Sequence, residues 1–311
     1  MKRTFALFIA LTAFSAFGLA ADPYVVVLGV GQDAGVPQMG CESPFCKEAW
    51  KDPSKREMVS SIAIVDPDTG ERWIFDATPD LPEQFQLLKE ITGDRSNALD
   101  GIFLTHAHMG HYTGLMYLGF ESMNAKEVPV FAMPRMKRYL ETNGPWSQLV
   151  SFKNISIKEL VKDKPSKLNG RISVTPFLVP HRDEYSETVG FRITSNGFNV
   201  LFIPDIDKWE RWDRKLEDEV RKNDLLFVDA TFFKDGEIPR PMSEVLHPFV
   251  EETMALLKDL PASERSKIHF IHFNHSNPLV QRSKEAIGEV ESSGFRIART
   301  GMTIPLENRG N

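Results

Sequence analysis

The sequence predicts an α/β sandwich: two mixed β-sheets packed face to face, with helices on their outer sides. Three observations predict it. Short apolar, β-branched runs alternate with helical periodicities in two successive series. Asp or His stands at the end of strand after strand, at Asp76, His106, His181, Asp205 and His272. Finally, three of the eight histidines crowd into Thr105-His106-Ala107-His108-Met109-Gly110-His111, between an apolar run and the start of a helix.

The elements follow in order. Tyr24 to Val30 is a β-branched strand that enters a Gly-rich loop, Gly31 to Gly40. Ser60 to Val65 and Arg72 to Phe75 form a hairpin around Asp66-Pro67-Asp68-Thr69-Gly70. Leu81, Phe85, Leu88 and Ile91 recur at helical spacing until Gly93 stops the helix. The Ile102 strand then leads into the histidine turn. Val128 to Phe131 is a strand, Pro134 to Leu140 a short helix, and Ile172 to Phe177 a strand that runs toward Pro180-His181. Thr188 to Thr194 and Phe198 to Ile203 pair around Asn196-Gly197, a strong hairpin signal. Trp209 to Arg221 reads as an amphipathic helix, Leu225 to Val228 as a buried strand, and Glu244 to Leu257 as a helix capped by Ser243. Lys267 to Ile271 is a strand ending at His272. Asn277 and Pro278 open a last helix that Gly294 closes, before a final short strand, Phe295 to Ala298.

Composition bounds the function. The chain has 311 residues, 41% hydrophobic and 26% charged, with a formal net charge of -6. That is ordinary for a globular protein. It speaks against a nucleic-acid-binding face, which needs a basic excess. The N-terminus differs in kind. Met1-Lys2-Arg3 is basic, Phe5 to Phe17 is almost wholly apolar, and Gly18-Leu19-Ala20 supplies small residues for cleavage. Residues 1–20 therefore read as a signal peptide cleaved after Ala20, leaving 21–311 as one periplasmic or secreted domain. No stable membrane insertion is expected after cleavage, since no later stretch is long and apolar enough to span a bilayer. Cys41 and Cys46 are the only cysteines. In an oxidising compartment such a pair forms a disulfide; a half-built structural metal site is the alternative.

The histidine turn points to metal chemistry. Neutral imidazole is the commonest side-chain metal ligand and suits zinc and iron. A turn carrying H-x-H-x-x-H can offer two imidazoles to one metal and a third to a neighbour. Ligands delivered from several strand ends into one cleft are held rigidly by the scaffold.

The order Asp76, H-x-H-x-x-H, His181, Asp205, His272 resembles the metallo-β-lactamase superfamily over roughly Tyr24 to Ile304. Within it the chain is similar to the pyrroloquinoline quinone (PQQ) biosynthesis protein B family. The similarity lies in Gly35-Val36-Pro37-Gln38-Met39-Gly40-Cys41, Asp76-Ala77-Thr78-Pro79-Asp80-Leu81 and His272-Phe273-Asn274-His275-Ser276-Asn277-Pro278. The resemblance implies the αββα metallo-β-lactamase fold and one or two divalent metal ions: zinc first, with iron or manganese as alternatives. It implies His106, His108 and His181 on a first metal, Asp205 bridging, and His111 and His272 on a second. The superfamily usually has H-x-H-x-D-H, with the Asp on the second metal; here that position is Gly110. His275 is the expected substitute, with Asp183 next in line. Without either, the second site is weak or empty. Asp76 is implied to fix a ligand histidine in its tautomer. The stretch Asp224 to His247 resembles the phosphodiesterase branch, which implies that His247 helps protonate a leaving group. Cys41 and Cys46 match two positions of a C-x-C-x-x-C cluster whose middle residue is Ser43 here, which undermines sulfur ligation of a metal.

The expected activity is metal-dependent hydrolysis. A bound metal lowers the pKa of water, and the resulting hydroxide, oriented by Asp205, attacks an ester, phosphodiester or amide-type substrate. Asp205, His247 and Asp76 are the catalytic candidates. Arg182 and Tyr185 would border the cleft and bind a small-molecule or peptide substrate. Two alternatives stand beside this reading. One is iron-dependent hydroxylation of a peptide tyrosine, implied by the PQQ-family resemblance. The other is a non-catalytic metal or quinone carrier.

Overall fold

Alternation within the first strand decides the layering. In the computed structural model, which describes residues 21–239 and 241–307, β1 (Tyr24–Gly29) sends Val25 and Val27 into one apolar core and Val26 and Leu28 into another. β2 (Ser61–Asp66) does the same, with Ile62 and Ile64 opposed to Ala63 and Val65. A strand buried on both faces needs a layer on each side. The first sheet continues through β3 (Glu71–Phe75), β4 (Gly101–Phe103), β5 (Val128–Ala132) and β6 (Ile155–Glu159). The second holds β7 (Ser166–Lys167), β8 (Ile172–Leu178), β9 (Val189–Ser195), β10 (Phe198–Ile203), β11 (Leu225–Asp229), β12 (Ile268–Ile271) and β13 (Arg296–Ile297). β14 (Thr303–Pro305) returns to pair with β1, giving the orders β14-β1-β2-β3-β4-β5-β6 and β13-β12-β11-β10-β9-β8-β7. This is the αββα sandwich expected from the sequence. The expected signal peptide lies outside the described residues. Among the described residues, no helix is long and apolar enough to cross a membrane.

Aromatic rings join the sheets. Phe75 on β3 and Phe103 on β4 stack with centroids 4.9 Å apart, and both meet Phe191 of β9 edge-on at 5.5 Å. β3 and β4 end, and β9 begins, beside the polar cluster. β3 to β6 run parallel, as do β10 to β13. Their carboxyl ends therefore open on a common crevice, the usual ligand position in such sheets.

Three helices differ from expectation. The 209–221 stretch divides into a 3-10 turn, Trp209–Arg211, and a helix, Leu216–Lys222. The two indoles pull the turn in different directions, Trp209 Nε1 donating to Thr253 Oγ1 and Trp212 Nε1 to the Leu178 carbonyl. The helix expected from Glu244 starts only at Val250. Pro248 disfavours helical backbone at the residue before it, so His247 lies in a loop, and Glu252 rather than Ser243 caps the helix by accepting from the Phe249 N–H at 2.8 Å. The last helix is Lys284–Ser292, capped by Ser283. Asn277 is instead buried, donating to the Ala230 carbonyl at 2.8 Å and accepting from Leu279 N at 2.9 Å. The short edge strands β6, β7 and β14 and the helix Pro44–Lys51 were not expected from the sequence.

Candidate metal centre

Strand ends deliver the site. Asp76 follows β3, Thr105 and His106 follow β4, His181 follows β8, Asp205 follows β10, Asp229 ends β11 and His272 follows β12. Asp76 and His272 both sit at positive φ, 69° and 70°. Asp and His enter this region more readily than most residues, yet at a cost of order 1–3 kcal/mol. Both kinks turn a side chain inward at the crevice.

Two clusters share one carboxylate. In the first, His106 Nε2 lies 2.9 Å from His108 Nδ1, and His181 Nε2 lies 3.2 Å from the same atom. Asp205 Oδ2 is 3.3 Å from His106 Nε2 and 3.0 Å from His181 Nε2. In the second, His111 Nε2 is 3.1 Å from Asp33 Oδ1 and 3.8 Å from Asp205 Oδ2, and His272 Nε2 is 3.7 Å from Asp33 Oδ1. Tetrahedral metal–nitrogen bonds of about 2.0–2.1 Å give ligand–ligand edges of about 3.3 Å. Both sets lie near that spacing.

The outer partners fix which nitrogen faces inward. The Thr105 hydroxyl donates to Asp76 and so accepts from His106 Nδ1 at 3.0 Å. Asp76 Oδ2 accepts from His111 Nδ1 at 2.7 Å. The Thr231 hydroxyl donates to Asp229 Oδ1 at 2.7 Å and accepts from His272 Nδ1 at 2.9 Å. Asp207 accepts from His181 Nδ1 at 3.2 Å, and Glu184 from His108 Nε2 at 3.3 Å. Each of the five imidazoles therefore turns a lone pair toward the centre. Lone pairs facing one another at about 3 Å repel unless a cation lies between them. His272 Nε2 is buried without a hydrogen-bond partner among the described residues. Donor set, spacing and orphaned atom all fit divalent metal ions.

Charge reinforces this. Burial disfavours ionised Asp205, but the adjacent His181 and His247 overcome it and hold its carboxyl well below the usual range. Burial also opposes protonation of His111, yet Asp76 and Asp33 raise its pKa well above the ordinary value. His181 is raised to about 10, Asp205 and Asp207 outweighing its burial. His106 goes the other way, pushed well below the usual value by burial and by the neighbouring His111. A metal cation would take the place of these protons.

The structure brings together His106, His108, His111, His181, Asp205 and His272, and sets Asp76 behind His111. His247 Nδ1 lies 2.8 Å from Asp229 Oδ2 and 3.2 Å from Asp205 Oδ1. His275 and Asp183 are corrections. His275 belongs to neither cluster: its ring lies beside the Cys41 and Cys46 sulfurs, because the chain turns away immediately after His272. Asp183 is exposed and paired with Arg135 at 3.1 Å. The residue missed was Asp33, in the Gly-rich loop. Cys41 and Cys46 are joined as a disulfide, the first of the two alternatives. Arg182 and Tyr185 sit on the rim, 59% and 63% exposed. Arg182 faces Glu184 at 3.6 Å, and the Tyr185 ring lies 5.5 Å from that of Tyr139.

Two facing sheets between helices, with a His/Asp centre at the strand ends that fits divalent metal ions, define a protein of the metallo-β-lactamase fold. The chain belongs to the β-lactamase superfamily, whose domain profile, described as "Beta-lactamase superfamily domain", matches residues 71–273. It is similar to the Coenzyme PQQ synthesis protein B of Methylorubrum extorquens, 26% identical over 91% of this chain and all of that protein. Among solved structures it resembles zinc-bound PqqB from Methylobacterium extorquens, with a TM-score of 0.75 and 23% identity over 91% of this chain and all of the other. It also resembles a diphosphatase of the PhnP family, with a TM-score of 0.63 and 22% identity, covering 91% and 96% of the two chains. These structural likenesses concern the fold.

Proposed function

We propose that this protein is an exported metal-dependent hydrolase acting on an ester, phosphodiester or amide-type bond of a small-molecule or peptide substrate. The observation that carries the reading is Asp205. One of its oxygens faces both imidazole clusters while the other faces His247. His106, His108, His181 and Asp205 would hold a divalent metal, zinc by the donor chemistry, which would supply an activated water and polarise the substrate oxygen. Asp205 would accept a hydrogen bond from the attacking water and orient it. Asp229 holds His247 by Nδ1, which leaves Nε2, on the opposite edge of the ring, to give a proton to the departing group. A leaving group that needs such a proton favours phosphodiesters over activated esters, and the phosphodiesterase-like placement of His247 supports that choice. Arg182 and Tyr185, exposed at the rim, would contact substrate.

His247→Ala is expected to lower turnover of a chromogenic phosphodiester by about 10²–10⁴-fold with metal content unchanged. An assay of the zinc-loaded protein against phosphodiester, carboxylic ester and lactam substrates checks this. Absence of turnover on all of them contradicts the hydrolase reading.

The similarity to Coenzyme PQQ synthesis protein B across 91% of the chain favours a second reading, iron-dependent hydroxylation of a peptide tyrosine. Oxygen uptake by the anaerobically iron-loaded protein on addition of a tyrosine-containing peptide would support it. The Cys41–Cys46 disulfide suits an oxidising compartment and supports export. Cell fractionation should find the protein outside the cytoplasm with Ala21 as its first residue, and a cytoplasmic protein still carrying Met1 contradicts export.

A further inference from the structure

We propose that Asp33 supplies the carboxylate of the second metal position, and that Gly110 is glycine because Asp33 occupies the space its side chain would need. The inference rests on the metal-centre reading and concerns how this chain completes it.

The two positions exclude one another. A Cβ built on Gly110 would lie 2.5 Å from Asp33 Cα, 2.6 Å from Asp33 Oδ1 and 2.9 Å from Asp33 Cβ. The first of these is a backbone atom, so no rotamer change relieves the contact and the loop itself would have to move. Gly110 has no positive φ to explain its identity; close approach is what requires it. The carboxylate thus enters from the Gly31–Gly40 loop, with Oδ1 2.6 Å from where a side chain at position 110 would start.

The loop is built to hold it there. Gln32 N donates to the Phe273 carbonyl at 2.8 Å, and Phe273 N returns a bond to the Val30 carbonyl at 2.7 Å. Asn274 Nδ2 donates to Gln32 Oε1 at 2.6 Å. The segment bearing Asp33 is therefore stitched to the segment bearing His272. Ser60 N donates to the Gly31 carbonyl at 2.7 Å and ties the loop to the start of β2. Held this way, Asp33 Oδ1 lies 3.1 Å from His111 Nε2 and 3.7 Å from His272 Nε2. His272 Nε2 is fully buried and has no hydrogen-bond partner among the described residues, as expected of an atom aimed at a metal. Asp33 is also the open side of the centre, its side chain 39% exposed against 3% for Asp205.

The test is metal stoichiometry after reconstitution with zinc alone and desalting, read by elemental analysis. The parent chain should retain two zinc ions and Asp33→Asn one, since the amide keeps the shape but loses the charge. Asp33→Gly combined with Gly110→Asp should return to two, because emptying position 33 makes room for a carboxylate at 110. Circular dichroism confirms that each variant is folded. Asp33→Asn retaining two ions, or a folded double variant holding one, overturns the proposal. Should the double variant not fold, Asp33→Asn against the parent decides alone. A parent chain holding one ion also overturns it, whereas a parent holding none removes the metal-centre reading itself.

Discussion

Asp205→Asn should empty the centre and lower turnover at least about a thousandfold, a loss typical of residues that act as a unit. The substitution is nearly isosteric, so the fold has no reason to change. What changes is charge. Asp205 Oδ2 lies 3.3 Å from His106 Nε2, 3.0 Å from His181 Nε2 and 3.8 Å from His111 Nε2, and Oδ1 lies 3.2 Å from His247 Nδ1. Four imidazoles thus converge on one carboxylate that is 3% exposed. An amide there brings a neutral oxygen and an N–H that repels a cation, and it serves neither cluster. Both metal content and turnover should fall together, in contrast to His247→Ala, where turnover falls alone. Elemental analysis beside the phosphodiester assay separates the two patterns. An Asp205→Asn protein that keeps its metal and its rate would remove Asp205 from the centre.

The sequence made the first cluster legible because its signal is local or repeated. The H-x-H pair is contiguous, and His181 and Asp205 each follow an apolar strand whose end is easily located. The second cluster was harder. Gly110 announces a missing carboxylate, but nothing in a linear reading says what fills the gap. Asp33 is 78 residues from His111 and sits among glycines that read as a generic turn. His275 was attractive only because it is close in sequence to His272, and the chain turns it toward the disulfide. The supporting partners had a signal that could have been used. Asp76-Ala77-Thr78 after β3 recurs as Asp229-Ala230-Thr231 at the end of β11, and both Asp residues prove to anchor a histidine at the centre. The late helix boundaries failed for a different reason. Periodicity carried the Glu244 helix through Pro248, but proline set its true start and freed His247 for the crevice.

Phe103→Ala should cost about 3–5 kcal/mol of stability, the range for deleting a buried aromatic ring. Phe103 is fully buried. Its ring stacks on Phe131 at 4.2 Å and on Phe75 at 4.9 Å, and meets Phe191 edge-on at 5.5 Å. Three of these rings belong to β3, β4 and β5 of one sheet and the fourth to β9 of the other, so the cavity would open where the two sheets lock together. Neighbouring strands paired on both sides cannot collapse into it without giving up ladder hydrogen bonds, which places the cost toward the upper end. The site should feel it too. Phe103 lies two residues before Thr105, and its carbonyl accepts the Asp76 N–H at 2.8 Å, the bond that holds Asp76 at its positive φ. Denaturant unfolding should show a lower midpoint at unchanged slope, and zinc should be held less tightly by the surviving folded protein. A midpoint shift worth less than about 1 kcal/mol would mean that the four rings merely fill space, and that the rigidity of the centre comes from its polar partners alone.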